Sequence, residues 1–214
     1  APSLWNVGFL STLLWDGAQS TLESQMQGPL YSPLEMGNNP ANLLSTLNHN
    51  STYQNLFTQA FGQSAITLAN VYTAITAFES SLISLNSRYD LYAHGYHAAL
   101  TEDEKAGLNV FRSFVARCAE CHTPPLFTNQ QLAVIGVADA PNMMIDPGAQ
   151  AVSGDESQRG AFRVPSLRNV VRTAPYMHRG QKATLADAAR FYTGGRGHEV
   201  PEGDALMIHW HIWE

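Results

Sequence analysis

Two stretches of this chain, 163 positions apart, spell nearly the same words, and any fold must accommodate both. Pro2-Ser-Leu-Trp-Asn-Val7 returns as Pro165-Ser-Leu-Arg-Asn-Val170, and the same offset carries Gly17 onto Gly180, Thr21 onto Thr184 and Leu22 onto Leu185. Eight identities in one ungapped register over about 20 positions read as two copies of one structural unit. The blander reading is that Pro-Ser and Thr-Leu are simply common ways to enter a helix.

Between the copies stands Cys118-Ala-Glu-Cys121-His122, a C-x-x-C-H. This is the attachment signature of a c-type haem: two thiols form thioethers with the vinyl groups, and the next imidazole reaches the iron. A bare C-x-x-C also fits a redox dithiol or half a zinc site. The dithiol reading wants a βαβ context, which is not visible. The zinc reading wants a second ligand pair, and the chain has only these two cysteines. His94 and His97 form an H-x-x-H, but in a segment that reads as a helix end and loop.

The 214 residues make one large domain or two small ones. Charged residues are 14% and the net charge is −6, without the basic stripe that nucleic-acid binding needs. In the most apolar segment, Ile66 to Leu85, the residues Leu68, Val71, Tyr72, Ile75, Phe78 and Leu82 recur at helical spacing. Asn70 and Glu79 interrupt it, so it predicts an amphipathic core helix and no membrane span. No signal peptide is visible; a mature exported protein would have lost one.

Helix signals dominate. Thr101-Glu-Asp-Glu104 is a capping box with an acidic first turn. The helix it opens puts Leu108, Phe111, Val115 and Cys118 on one face, and so predicts delivery of the C-x-x-C-H at its C-terminal end. Ser20-Thr-Leu-Glu23 and Thr184-Leu-Ala-Asp187 read as two more helix starts. Phe127 to Val137 is a possible short extended stretch, and Gly136 to Gly160 reads as a long loop. The class is mainly α.

The repeat bears on the haem. Cys118–His122 stands 43 residues before Pro165, so a first-copy attachment motif is expected about 40 residues before Ala1. The chain is therefore expected to be part of a longer di-haem protein. It would hold two pseudo-repeated cytochrome c-type haem domains, residues 1–92 being the C-terminal part of the first and 93–214 the second. Position 192, in Arg-Phe-Tyr192-Thr-Gly-Gly195, offers a second axial ligand, but from the residues alone a core tyrosine with Met177, Met143 or Met144 as ligand is the better reading. The repeat offset sets Pro29 opposite Tyr192, and proline has no side-chain donor for iron.

Leu14-Trp-Asp-Gly17, Gly28-Pro29, Pro33-Leu-Glu-Met36, Cys118–His122, Leu126-Phe-Thr128, Phe162-Arg-Val-Pro-Ser-Leu-Arg-Asn169 and Ala174-Pro-Tyr-Met-His178 together resemble the bacterial di-haem cytochrome c peroxidase superfamily. The resemblance covers nearly the whole chain and is closest to its MauG/MbnH-like branch. It implies that His122 and Tyr192 ligate the second haem iron, where the conventional peroxidases carry methionine. A phenolate favours higher iron oxidation states than a thioether. It implies an open first haem beneath Pro29, with Glu35 as proton donor and acceptor and Gln25 holding peroxide by hydrogen bonds. By default Glu35 in its turn is simply solvated and Trp15 simply packs; the resemblance makes Trp15 the electronic link between the haems, while the repeat pairs it with His178, a candidate cofactor-binding residue. Asp16 and Arg179 are further candidates for the turn or a propionate. A calcium ion is implied at the backbone carbonyls of Thr173 and Pro175.

The function implied is a periplasmic di-haem enzyme that uses hydrogen peroxide to reach a high-valent state shared by both haems. That state would oxidise tryptophan residues of a partner protein by long-range electron transfer. One alternative is a conventional cytochrome c peroxidase fed by a small redox protein, and another a non-catalytic electron carrier. The MauG-type exit tryptophan upstream of the second motif is missing from Phe114-Val-Ala-Arg117. Trp210 and Trp213, with His209 and His211, form an oxidisable tail whose simpler role is packing.

Overall fold

The computed structural model describes residues 2–63, 65–137, 139 and 143–193. The tail containing His209, Trp210, His211 and Trp213 lies outside the described residues. Two compact units emerge: one comprises Val7–Leu13 and Gln19–Leu82, the other the described parts of Ala1–Asn6, Leu14–Ala18 and Ile83–Glu214. Within this division the chain changes units after Leu82, and two short N-terminal pieces join the larger unit.

The smaller unit is helical. α1 (Leu22–Gln25) is capped by the Thr21 side chain, which accepts from Ser24 N–H, and α2 (Gln27–Tyr31) follows through the helical Met26. α3 (Pro40–Asn48) has Asn39 as N-cap and proline in its first turn. α4 (Ser51–Phe61) runs from the Asn50 cap to the left-handed Gly62. α5 (Leu68–Ser81) begins at Thr67, which accepts from Asn70 N–H. Ile66 and Val71, at the two staple positions around that cap, are both 4% exposed. Val7, Leu13 and Leu22 form a buried core.

α5 realises the predicted helix with its faces partly exchanged. Phe78 is 63% exposed, whereas Glu79 is 7% exposed and its Oε2 is buried without a hydrogen-bond partner. Burial, aided by repulsion from Glu23, pushes the Glu79 carboxyl upward, so it favours the protonated form.

In the larger unit, α6 (Arg88–Ala93) and α7 (Glu102–Arg112) both start on capping boxes, Ser87 with Asp90 and Thr101 with Glu104. α7 does not continue into the cysteine motif as expected. Ser113 is extended, and its hydroxyl donates to Val110 O while accepting from Ala116 N–H, competing with the helix ladder. Phe114 and Val115 are consequently exposed, not part of an inward face. The left-handed Arg117 then opens the separate single turn α8 (Cys118–Cys121).

β1 (Leu132–Ala133), α9 (Gln150–Ser153), β2 (Phe162–Arg163) and α10 (Leu185–Thr193) complete the chain. β1 and β2 pair antiparallel, Leu132 opposite Arg163 and Ala133 opposite Phe162. Two clusters flank them: Cys121, Ala133 and Val164, and Val134, Ala149 and Ala161.

The sequence repeat is also a backbone repeat. Non-glycine residues with positive φ are uncommon, yet Asn6 (62°) matches Asn169 (57°) and Leu14 (66°) matches Met177 (71°); Gly17 (72°) likewise matches Gly180 (73°). The 3₁₀ turns Val7–Phe9 and Val170–Arg172 coincide, as do the bridges Leu13–Gln19 and Tyr176–Lys182. Thr184 accepts from Asp187 N–H just as Thr21 accepts from Ser24 N–H. All share the offset of 163.

Candidate functional site

A single helical turn places Cys118 and Cys121 three residues apart, hence on one side, with His122 as its C-cap. Cys121 is buried and Cys118 half-buried, and neither is in a disulfide. Burial pushes both thiols up, with Glu120 adding to the effect at Cys121. An exchanging dithiol needs the opposite shift, so the redox-dithiol reading loses its support.

His122 is oriented by the chain that follows it. Its Nδ1 lies 3.1 Å from Phe127 O. A carbonyl can only accept, so Nδ1 carries the proton and the neutral ring keeps its lone pair on Nε2. Burial dominates and pushes the imidazole pKa down, against the opposing pull of the Phe127 and Pro165 carbonyls. Phe127 has φ +55°, which aims its carbonyl back at the ring. The loop is strapped to the second β segment: Thr128 Oγ1 donates to Val164 O at 2.6 Å and Ser166 Oγ to Leu126 O at 2.5 Å.

Behind this loop is an ion pair that the sequence reading did not find. Arg168 donates to both Asp90 carboxylate oxygens at 2.6 and 2.7 Å, and through Nε and Nη2 to Pro125 O at 2.8 and 2.6 Å. Its guanidinium lies 5.4 Å from the Phe127 ring centroid, and the arginine holds the Asp90 carboxyl well below the usual carboxylate range. Asp90, Arg168, Pro125 and Phe127 thus form a continuous support for the His122 imidazole, the outer-layer orientation that metal-ligating histidines need.

Tyr192 comes from α10 and lies within electrostatic range of both cysteines. Its phenol is pushed up to about 12, first by burial and then by the negative charge of Cys121 and Cys118. The structure therefore sets Tyr192 within electrostatic range of Cys118 and Cys121, whose turn ends on His122. Two thiols on one side of a turn, a free imidazole Nε2, a nearby phenol and the apolar Val164 and Ala133 fit a covalently attached haem. The phenolate is disfavoured without a metal, so the iron would have to supply the charge that stabilises it. Of the rival ligands, Met143 and Met144 are 52% and 85% exposed, and Met177 is half-buried at a positive-φ turn position.

The other expected residues distribute as follows. His178 stacks on Phe162 at 3.9 Å, with Asp139 at 3.7 Å. Burial is the main influence on it and favours the neutral ring. Arg179 pairs with Asp139 and Asp146, and Asp16 accepts from Ala18 N–H, fixing its turn. Trp15 is half-buried, and its carbonyl accepts from Arg163 N–H at 2.7 Å. Thr173 and Pro175 are exposed beyond the Val170–Arg172 turn. In the smaller unit, Gln25 Oε1 is buried without a partner. Glu35 is exposed, in a turn closed by Met36 N–H to Pro29 O at 3.1 Å and Glu35 N–H to Ser32 O at 3.0 Å, so Pro29 and Glu35 are neighbours.

Residues 1–98 match the family described as di-haem cytochrome c peroxidase. The chain is 33% identical to the cytochrome c551 peroxidase of Nitrosomonas europaea over 190 residues, which is 88% of this chain and 56% of that protein. It is 34% identical to the methylamine utilization protein MauG of Methylophilus methylotrophus, over 89% of this chain and 56% of that one. It thus spans a little over half the length of these curated relatives. The crystal structure of a MauG-like protein associated with microbial copper homeostasis superposes with a TM-score of 0.84 at 32% identity, covering 96% of this chain and 67% of that one. The C-x-x-C-H turn, the half-buried tyrosine within electrostatic range of it and these likenesses agree: the chain belongs to the di-haem cytochrome c peroxidase superfamily and is MauG-like.

Proposed function

We propose that this protein is a periplasmic di-haem oxidoreductase that uses hydrogen peroxide to oxidise tryptophan residues of a partner protein. The observation that carries the reading is Tyr192 beside Cys118 and Cys121. When bound, the haems supply the iron chemistry that splits the peroxide O–O bond and stores two oxidising equivalents. Cys118 and Cys121 would hold one haem covalently, and His122 Nε2 and Tyr192 would be the protein groups that ligate its iron. Pro29 offers no side-chain donor, so it would not ligate the iron of the other haem and would leave that haem free to bind peroxide. Gln25 hydrogen-bonds the peroxide, and the Glu35 carboxylate takes a proton from one oxygen and returns it to the departing one. Trp15 would share the equivalents between the haems, and His178 would contact the cofactor. A calcium ion at the carbonyls of Thr173 and Pro175 belongs to the same proposal. No helix among the described residues is long and apolar enough to cross a membrane.

A second reading, peroxide removal with electrons from a small redox protein, is favoured by the relatives named peroxidases. Phe114-Val-Ala-Arg117 also lacks a tryptophan, although Phe114 is 93% exposed there. Tyr192→Met in the full-length holoprotein separates the two. Tryptophan oxidation in the partner is expected to fall at least about 10-fold, equivalent to about 1.4 kcal/mol in the barrier, while peroxide consumption with a reduced cytochrome persists. Unchanged tryptophan oxidation would remove the MauG-type reading. A visible spectrum that ignores added peroxide and cyanide would leave an electron carrier.

A further inference from the structure

We infer that Arg163 receives a carboxylate of the haem held by Cys118 and Cys121, a propionate, and that the same guanidinium fixes the backbone under Trp15. This rests on the haem reading above. Arg163 is 3% exposed. Its Nε donates to Leu14 O at 3.1 Å and its backbone N–H to Trp15 O at 2.7 Å. Its Nη1 is buried with no hydrogen-bond partner. Among the described residues the ion pairs of the arginines are with Glu104, Glu120, Glu156, Asp90, Asp139, Asp146 and Asp187, and none involves Arg163.

A guanidinium cannot shed its proton at neutral pH. Buried without a counter-charge, it is the kind of group that folded proteins do not leave alone. Arg168, five residues on, shows the usual solution: the same burial, with both Asp90 oxygens in its fork. Arg163 therefore lacks an anion, and its place names one. Its neighbour Val164 packs on Cys121 and Ala133, and the Pro165 carbonyl acts on His122. The segment carrying Arg163 runs along the attachment turn. The cysteines take the vinyl edge of a c-type haem, so its ionised propionates are directed away from the sulfurs. Successive side chains on a strand alternate, so Arg163 leaves the Val164 side and extends toward Leu14 and Trp15. A planar carboxylate is also what a guanidinium binds best.

The test uses the full-length holoprotein with Arg163→Gln, which loses the charge, and Arg163→Lys, which keeps the charge but not the fork. Covalent haem content is measured first. Then the propionate-bending band of the resonance Raman spectrum and the midpoint potential of the Cys118–Cys121 haem are compared with the parent. Arg163→Gln should shift the band and lower the potential. Arg163→Lys should shift the band and hold the potential, and carries the result alone if the glutamine variant does not fold. Full haem content with an unmoved band and potential, and only a lower unfolding temperature, would overturn the propionate assignment and leave a structural clamp. A parent protein without covalent haem would overturn the haem reading, and this assignment with it.

Discussion

Trp5, Trp15 and Pro29 in the first copy stand where Arg168, His178 and Tyr192 stand in the second, on backbones that turn at the same residues. Asn6 and Asn169, Leu14 and Met177, and Gly17 and Gly180 all adopt positive φ. The closing bridges, Leu13 N–H to Gln19 O and Tyr176 N–H to Lys182 O, are each 2.7 Å. What differs is the side chains. Trp5 is 47% exposed, whereas Arg168 is buried in an ion pair. Pro29 presents nothing, whereas Tyr192 presents a phenol. The repeat thus separates two tasks: backbone hydrogen bonds and left-handed residues shape the unit, and the positions they hold are free to differ in chemistry.

The comparison can be broken most sharply at Arg168, where the second copy has an ion pair and the first a tryptophan. Asp90→Asn should cost about 3–5 kcal/mol of folding stability, because it leaves a buried guanidinium without its charge; chemical denaturation measures this. The Asp90 carboxyl is depressed in the fold, so its contribution is present above an unfolded pKa of about 4 and is lost as pH falls toward the folded value. The variant should lack that acid-side slope.

Next in size is the proton chemistry assigned to the first copy. Glu35→Gln should slow the reaction with peroxide about 100-fold, within the range for a general acid–base group. The spectrum of the resting haems should not change; stopped-flow absorbance measures the rate.

The turn glycines give a smaller effect and a finer test of equivalence. Each occupies a left-handed position that costs an L-residue roughly 1–2 kcal/mol. A Cβ on Gly17 would sit 3.6 Å from Leu132 Cδ2, in ordinary contact, whereas one on Gly180 would sit 2.8 Å from Pro175 Cγ. Gly180→Ala should therefore lower the unfolding temperature more than Gly17→Ala, although both lower it. Equal losses would mean that the second turn yields as easily as the first.

The smallest effect belongs to a buried carboxyl without an arginine. Glu79 is raised by burial, so the folded protein binds its proton more tightly than the unfolded chain. Stability from this group is full below the unfolded pKa of about 4.3 and is lost as pH rises through the folded value. Glu79→Gln should remove that decline and raise stability at neutral pH, which chemical denaturation across the pH range measures.

Much of this was legible because it is local. The C-x-x-C-H, the Thr101 and Thr184 caps and the two-copy register each depend on residues within a few positions, and each appears where the sequence set it. The pairing of Asp90 with Arg168 spans 78 residues, and one sequence carries no signal that joins them, though Arg168 lay inside a quoted motif. The apolar spacing of α7 continues through Val115, whereas the Ser113 hydroxyl and left-handed Arg117 end the helix before it. Periodicity alone likewise set Phe78 inward and Glu79 outward. The neighbours of α5 decide that choice, and they pack the other way.

The bridged turns at 13–19 and 176–182 carry a practical corollary. Each is closed by main-chain bonds at its base, so the residue near its tip, Trp15 or His178, is held by a frame that does not depend on its identity. Each turn is a socket into which a different aromatic group can be plugged. An engineer wishing to re-route charge through such a protein could exchange the inserts and leave the sockets untouched.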